Sequence, residues 1–378
     1  MSALRPFALE VHFSKWEFTA KYHMCASDMQ SMTLTELLSY ADDADKRAWE
    51  QLHLGYTETL GRPSLREAIA STYESVSTAD VLCFAGAQEG IYCAMRAILA
   101  PDDHVIAITP NYQSSESVPR SICQTTGVSL DPERNWDLDL DQVREAIQPN
   151  TRLISINFPN NPTGKVISHD ALHELVAIAR DHGIYIFNDE VYRQLERQPE
   201  ATLPQIADIY ERGLSLNVMS KAYGLPGLRI GWVACKDRQL LQRMERIKHY
   251  LSICNSAPSE LLAEIALKSR ERILKRCLDL IAHNLPLLSN FMNERSDLFE
   301  WYLPDGGCIG YPRYLGGDGV EEFAKQMVEE SGVLLLPASV YSSDLLPTPA
   351  DRFRIGYGRA NLSEGLAAMR NHLAKVAV

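Results

Sequence analysis

Lys221 stands at the end of an apolar run, residues 214–219, and opens the segment Lys221-Ala222-Tyr223-Gly224-Leu225-Pro226-Gly227-Leu228-Arg229-Ile230-Gly231. Desolvation or a neighbouring cation lowers the pKa of such a lysine, and its free amine can then attack a carbonyl carbon. The Gly/Pro-rich turn can bring Arg229 back to the same pocket. Asp189 closes another apolar run, residues 184–188, with Tyr192 three positions on. A carboxylate at a buried strand end is costly unless a cation pairs with it, and a protonated ring nitrogen is such a cation. Gly86-Ala87-Gln88 follow a third run and precede a helical pattern. A small-residue turn at a helix N-terminus offers free N–H groups and a positive dipole end, which suits phosphate. Taken singly, each feature has a plainer explanation: a tight strand-to-helix turn, a solvated charge, or the good turn Asn160-Asn161-Pro162-Thr163-Gly164.

The elements that must position these groups are legible in the same stretch. Near-continuously apolar runs at 81–86, 105–110, 153–159, 184–190, 214–219 and 230–235 read as strands covered on both faces. Helical patterns at 89–99 and 170–182 lie between them. That rhythm predicts an α/β fold with a mostly parallel sheet and right-handed crossovers, with ligands outside the carboxyl ends of the strands. Ser64-Leu65-Arg66-Glu67 reads as a capping box opening a helix with Leu65, Ala68, Ile69 and Tyr73 on one face. After residue 256 the pattern changes to long helices and short strands. We expect an arm at 1–45 belonging partly to a small α+β domain, a large domain at 46–256, and the rest of the small domain at 257–378.

With 378 residues, the chain can bury a large core and still form a cleft. Its formal charge of −12 argues against nucleic-acid binding and is compatible with a cationic small substrate. Charges at Arg5, Glu10, Lys15 and Glu17 interrupt any signal-peptide core, and no apolar run reaches membrane-spanning length. The eight cysteines are scattered, so a cytoplasmic location with reduced thiols is expected, with no metal site. His169 and His173 lack the glutamate of a zinc-protease helix and lie on an amphipathic pattern, which reads as a solvated face. A hydrolase elbow GxSxG and a dinucleotide-binding GxGxxG are both missing.

Together, Phe158-Pro159-Asn160-Asn161-Pro162-Thr163-Gly164, Asp189-x-x-Tyr192 and the segment Ser220 to Gly231 resemble the fold type I, class I/II aminotransferase-like pyridoxal 5′-phosphate enzymes, in order and spacing. The resemblance implies a large domain with a seven-stranded sheet and a smaller α+β domain. It implies that Lys221 holds the cofactor covalently and that Asp189 pairs with the pyridine nitrogen. Asn161 and Tyr192 would bind the phenolic oxygen, and Tyr112 would stack on the ring. Gly86, Ala87, Gln88 and Arg229 would hold the phosphate, and Ser220 would also lie at the cofactor. Tyr56 would reach the phosphate of a neighbouring subunit in a homodimer, and Arg354 would bind the substrate α-carboxylate. One position departs from the pattern: Val218 stands where the family usually has a serine or threonine on the phosphate.

The N-terminal arm bears on the reaction. Leu9-Glu10, Phe18-Thr19-Ala20-Lys21, Ser27 and Thr33-Leu34-Thr35-Glu36-Leu37 resemble capreomycidine synthase and related enzymes that cyclise hydroxylated arginine, including the one that makes enduracididine from γ-hydroxyarginine. A guanidinium substrate needs a carboxylate partner. Glu10 is the first candidate and Asp28 the second, with His23 to position substrate or relay a proton. The expected reaction is loss of water from a hydroxy-L-arginine with guanidine ring closure. The alternatives are amino transfer from an amino acid to a 2-oxo acid and oxidation of arginine; a regulator without activity is disfavoured by the intact Lys221.

Overall fold

The computed structural model describes residues 4–376. Residues 1–3 and 377–378, the outermost parts of the expected first and last units, lie outside the described residues. The large sheet has eight strands: β1 (Val81–Phe84), β2 (His104–Thr109), β3 (Gln124–Asp131), β4 (Asp137–Leu138), β5 (Thr151–Asn157), β6 (Tyr185–Asp189), β7 (Gly213–Val218) and β8 (Gly231–Ala234). Their spatial order is β1-β8-β7-β6-β5-β2-β3-β4. Strands β7, β6, β5, β2 and β3 pair in parallel, β8 runs against both its neighbours, and β4 runs against β3. The two-residue β4 extends the expected seven strands by one. Strand β3 was not among the six apolar runs, because it lies beside the sheet edge and is only partly covered, so its sequence is mixed.

Both faces of the central strands are buried, and the pleat divides their side chains. Ile106, Ile154, Ile156 and Ile186 point one way, into a cluster with Leu172, Leu175 and Val176. Val105, Leu153, Phe187, Leu214 and Leu216 point the other way, onto Ile91 and Met95. The first face is covered by the helix His169–His182, started by the Ser168 hydroxyl and ended by Gly183 in the left-handed conformation. The second is covered by the helix Ala87–Ile98. His169 and His173 lie on the exposed side of their helix.

The C-terminal block packs the helices Arg270–Glu294, Val320–Ser331 and Leu362–Val376 with a three-stranded sheet of Ile309–Gly310, Phe353–Gly356 and Leu336–Pro337. The arm joins it: Tyr22–His23 pairs in parallel with Val333–Leu334. The arm also carries the helix Ala8–Trp16, which packs on the turn Ala338–Tyr341.

The expected capping box at Ser64 does not form. The helix runs Pro63–Ala70, with proline in its first turn, where a missing N–H costs nothing. Ser64 is therefore inside the helix, and its hydroxyl donates to Glu264 at 2.6 Å. The Arg62 N–H at the helix entry is met instead by the Glu260 carboxylate at 3.2 Å. Among the described residues, no helix is long and apolar enough to cross a membrane, and no group of three or more His, Cys, Asp or Glu is placed to hold a metal ion. All eight cysteines are free thiols.

Candidate functional site

A cavity opens at the carboxyl ends of β5, β6 and β7. Asn157, Asp189 and Val218 are the last residues of those strands, and all three line it. The pairing β5–β6 sets Asn157 opposite Asp189. Asn157 then ties this wall together: its Nδ2 donates to Asp189 O at 2.7 Å, and its Oδ1 accepts from Asn161 N at the same distance.

Asp189 is buried and accepts one long bond, from Val191 N at 3.3 Å. Burial pushes its carboxyl up to about 6, against the pull of Lys221. A charged carboxylate here calls for a cation on its cavity side. Tyr192 is buried too, and its hydroxyl, beside Ser27, has no hydrogen-bond partner of good geometry among the described residues. Asn161 Oδ1 is already taken, by Tyr341 Oη at 2.9 Å and Arg354 Nη1 at 3.2 Å. That leaves its Nδ2 to donate into the cavity. Lys221 lines the same cavity, and its Nζ donates to Ser27 Oγ at 2.9 Å. Burial first, then Arg354, pulls its pKa below the usual lysine value, with Asp28 opposing.

The helix Ala87–Ile98 points its N-terminus at the same cavity, and no side chain caps it. Gly86, at φ 91°, precedes it, and a Cβ there would collide with the Arg229 guanidinium. Glycine thus allows a cation to approach a helix N-terminus, an arrangement that binds a dianion. Ala87, Gln88, Ser220 and Arg229 line this end of the cavity. Val218 puts an apolar side chain among them. Tyr112 covers one side, with its ring 5.2 Å from Phe7.

The opposite wall belongs to the arm. Glu10, Phe13 and Glu17 project from one side of the helix Ala8–Trp16 and its C-cap, joined by His23, Ser27 and Asp28. Asp28 lines the cavity with a cation already beside it: both its oxygens accept from Arg359 Nη2, at 2.8 and 2.9 Å. Among the described residues Glu17 has no such close partner; His23 Nε2 lies 3.9 Å from it. Burial, Glu10 and Asp28 all push the Glu17 carboxyl up. Burial, then Arg359, pushes His23 down to about 4, so its imidazole is neutral at pH 7.

Three expected residues lie outside the cavity lining: Gly86, which precedes the helix at its phosphate end, Arg354 and Tyr56. Arg354 is buried behind Asn161 and gives Nε and Nη2 to Cys25 O, and Nη1 to Asn161 and Tyr341. Four bonds occupy a group with five N–H donors, so a bidentate grip on a carboxylate requires one of them to give way. Tyr56 is 93% exposed and lies instead at a second cavity, with Leu54 and residues 254–258.

Glu17, Arg359, Asn157 and Tyr341 were not singled out by sequence reasoning. Glu17 had a signal: it falls seven residues after Glu10, on the same helical face. Asn157 ends a strand beside the Asn/Pro-rich turn and could have been suspected. Arg359 pairs with a residue 331 positions away, and no local pattern announces it.

Three unmet demands therefore converge on one lysine: a buried carboxylate that lacks a cation, unspent donors beside it, and an open cradle for a dianion. These are the demands that a pyridine nitrogen, a phenolic oxygen and a phosphate would meet. The chain belongs to the aminotransferase class I and II family, whose model matches residues 20–369. Its cofactor is pyridoxal 5′-phosphate. The chain is 29% identical to capreomycidine synthase from Streptomyces vinaceus, over 98% of this chain and 94% of that one. It also superposes on a PLP-dependent aminotransferase from Streptococcus suis with a TM-score of 0.91 and 29% identity, covering 99% of both chains. The fold is shared with the PLP-dependent cyclase OrfR, at a TM-score of 0.89 and 23% identity over 99% of this chain and 98% of that one.

Proposed function

We propose that this enzyme cyclises a hydroxylated L-arginine with loss of water, γ-hydroxy-L-arginine to L-enduracididine or the β-isomer to capreomycidine. The observation that carries this reading is the acidic wall facing Lys221. Glu10, Glu17 and Asp28 stand together there, and Arg359 is spent on Asp28. Two carboxylates are left to a cationic side chain. Each charge-assisted hydrogen bond to a guanidinium is worth about 1.5–3 kcal/mol. The likeness to capreomycidine synthase across nearly the whole chain supports the same reading.

When bound, the cofactor supplies an electron sink for negative charge at the substrate Cα. Lys221 holds it covalently, and Asp189 keeps the ring nitrogen protonated. Asn161 Nδ2 and Tyr192 Oη donate to its phenolic oxygen, and Tyr112 covers the ring. Gly86, Ala87 and Gln88, with Ser220 and Arg229, hold the phosphate, one hydroxyl short at Val218. Tyr56, exposed beside exposed Leu54, serves the phosphate of a second copy in a homodimer. Arg354 gives up a present bond to take the α-carboxylate. Once the substrate amine has displaced it, Lys221 Nζ would be free to accept the Cα proton, which its lowered pKa favours, with Ser27 steadying it. Glu10 and Glu17 hold the guanidinium folded toward the chain carbon that loses its hydroxyl. There a C–O bond breaks, a C–N bond forms, and water leaves. His23, neutral, passes protons at that end.

Amino transfer to a 2-oxo acid is the second reading, favoured by the likeness to the Streptococcus suis aminotransferase. Mass spectrometry separates the two. Cofactor-loaded enzyme is incubated with β- or γ-hydroxy-L-arginine without a keto acid. Cyclisation yields a product lighter by one water with its amino group retained. Absence of that product, with amino transfer on adding a keto acid, overturns the cyclase reading.

A further inference from the structure

We propose that Gln113 is the positioning residue that seats the arm helix against the cavity. That helix, Ala8–Trp16, buries only Leu9 fully, and its N-cap residue Phe7 makes no side-chain cap. A nine-residue helix with so little buried surface depends on its anchors for both formation and placement. Gln113 supplies the missing cap from another part of the chain. Its Oε1 accepts from Ala8 N, the first helical N–H, at 2.8 Å. Its Nε2 donates to Pro6 O at 2.9 Å. One carboxamide thus meets an orphaned donor and an acceptor two residues apart, and Gln113 itself is 6% exposed. Only a side chain with a donor and an acceptor on one planar head can do both.

The placement matters because of what lies next to it. Gln113 follows Tyr112, which lines the cavity, so the residue that covers one side and the helix that forms another share a backbone joint. A second tie reinforces it one turn later. Buried Glu116 accepts from Ser343 Oγ at 2.6 Å and Asp344 N at 2.9 Å. Asp344 in turn holds Arg5 at 2.9 Å and pairs with Arg120. Residues 5–8 are therefore fastened to the segment after Tyr112 through both a neutral amide and an ion-pair relay. Of the two, Gln113 sets the helix register, because it grips the helix backbone itself. Glu10 begins two residues beyond that grip. Its aim at the cavity, and that of Glu17, follows from Gln113, although Gln113 touches neither.

The kinetic consequence rests on the substrate reading of Glu10 and Glu17; the seating does not. The test compares Gln113→Leu and Gln113→Glu with the parent as cofactor-loaded enzymes. Three quantities are read: hydrogen–deuterium exchange of residues 8–17, the cofactor absorbance spectrum, and kcat and KM for hydroxy-L-arginine. The leucine variant should exchange these amides about tenfold faster and keep the cofactor spectrum, with KM raised about tenfold and kcat changed less than about threefold. The glutamate variant can accept from Ala8 but not donate to Pro6, and should fall between. Unchanged exchange in a folded leucine variant overturns the proposal. If that variant does not fold, unchanged exchange in the glutamate variant overturns it. Faster exchange with unaltered KM upholds the seating and removes Glu10 and Glu17 from the substrate.

Discussion

The cavity has two walls of different construction. The sheet wall consists of strand ends: Asn157, Asp189 and Val218 close three adjacent parallel strands, each backbone held by the ladder on both sides. Its polar groups are buried, and several remain unmet until a ligand arrives. The arm wall is a short, half-buried helix held by an amide clamp and an ion-pair relay, and its carboxylates crowd one another. The first wall cannot shift without breaking the sheet, so it suits a cofactor common to the family. The second can change by a few side chains without disturbing the core, so it suits the part of the substrate that varies. On the proposed function, rigid strand ends would carry the chemistry and the arm helix would choose what is presented to it.

That division can be broken by experiment. Lys221→Ala should cost more than about a thousandfold in turnover for every substrate and abolish the visible absorbance of the covalently held cofactor. Retained turnover would separate the sheet wall from the chemistry. Asp189→Asn should lower kcat by about a hundredfold or more, again for all amino acids, since the lost charge faces the cofactor; a loss confined to guanidino substrates would contradict the division. Glu10→Ala and Glu17→Ala should each lower kcat/KM for hydroxy-L-arginine by roughly ten- to a hundredfold, with amino acids lacking a guanidinium changed less than about threefold. An equal loss across substrates would make the arm carboxylates structural.

The remaining effect concerns stability behind the sheet wall and leaves the cavity itself untouched. Glu190 is buried, and burial pushes its carboxyl up to about 7 against the bonds from Ile206 N, Ser215 and Asn188. The folded state therefore keeps a proton that the unfolded chain has released above its ordinary value near 4.5. Stability from this group is highest below that value and falls as pH rises to about 7, by a few kcal/mol. Glu190→Gln keeps the accepting oxygen and should flatten the decline in Tm across that window. An unchanged decline would place the titration elsewhere.

Much of the sheet wall was legible in the residues because its information is local. An apolar run followed by Asp189, or by Ser220-Lys221, joins the strand and the group it delivers within ten residues. The arm wall was legible only in part. Glu10 was visible as a charge in a short similarity, but its placement beside Glu17 depends on a helix with weak apolar patterning. Asp28 was the second candidate after Glu10, and the fold brought Arg359 to it. Ser64 looked like a cap until Pro63 took the first helical turn. Strand β3 escaped notice because a partly covered strand has no continuous apolar signature.

The order of strands, turns and reactive side chains, and with it the cofactor, was determined by the sequence itself, since those groups are placed by backbone a few residues away. Tertiary structure alone decided which carboxylates on the arm wall have a close cationic partner. It paired Asp28 with Arg359, left Glu17 beside Glu10, turned Arg354 onto Cys25, Asn161 and Tyr341, and gave Gln113 a helix to hold. Charges find partners by proximity in space, and proximity across hundreds of residues is settled only when the core packs.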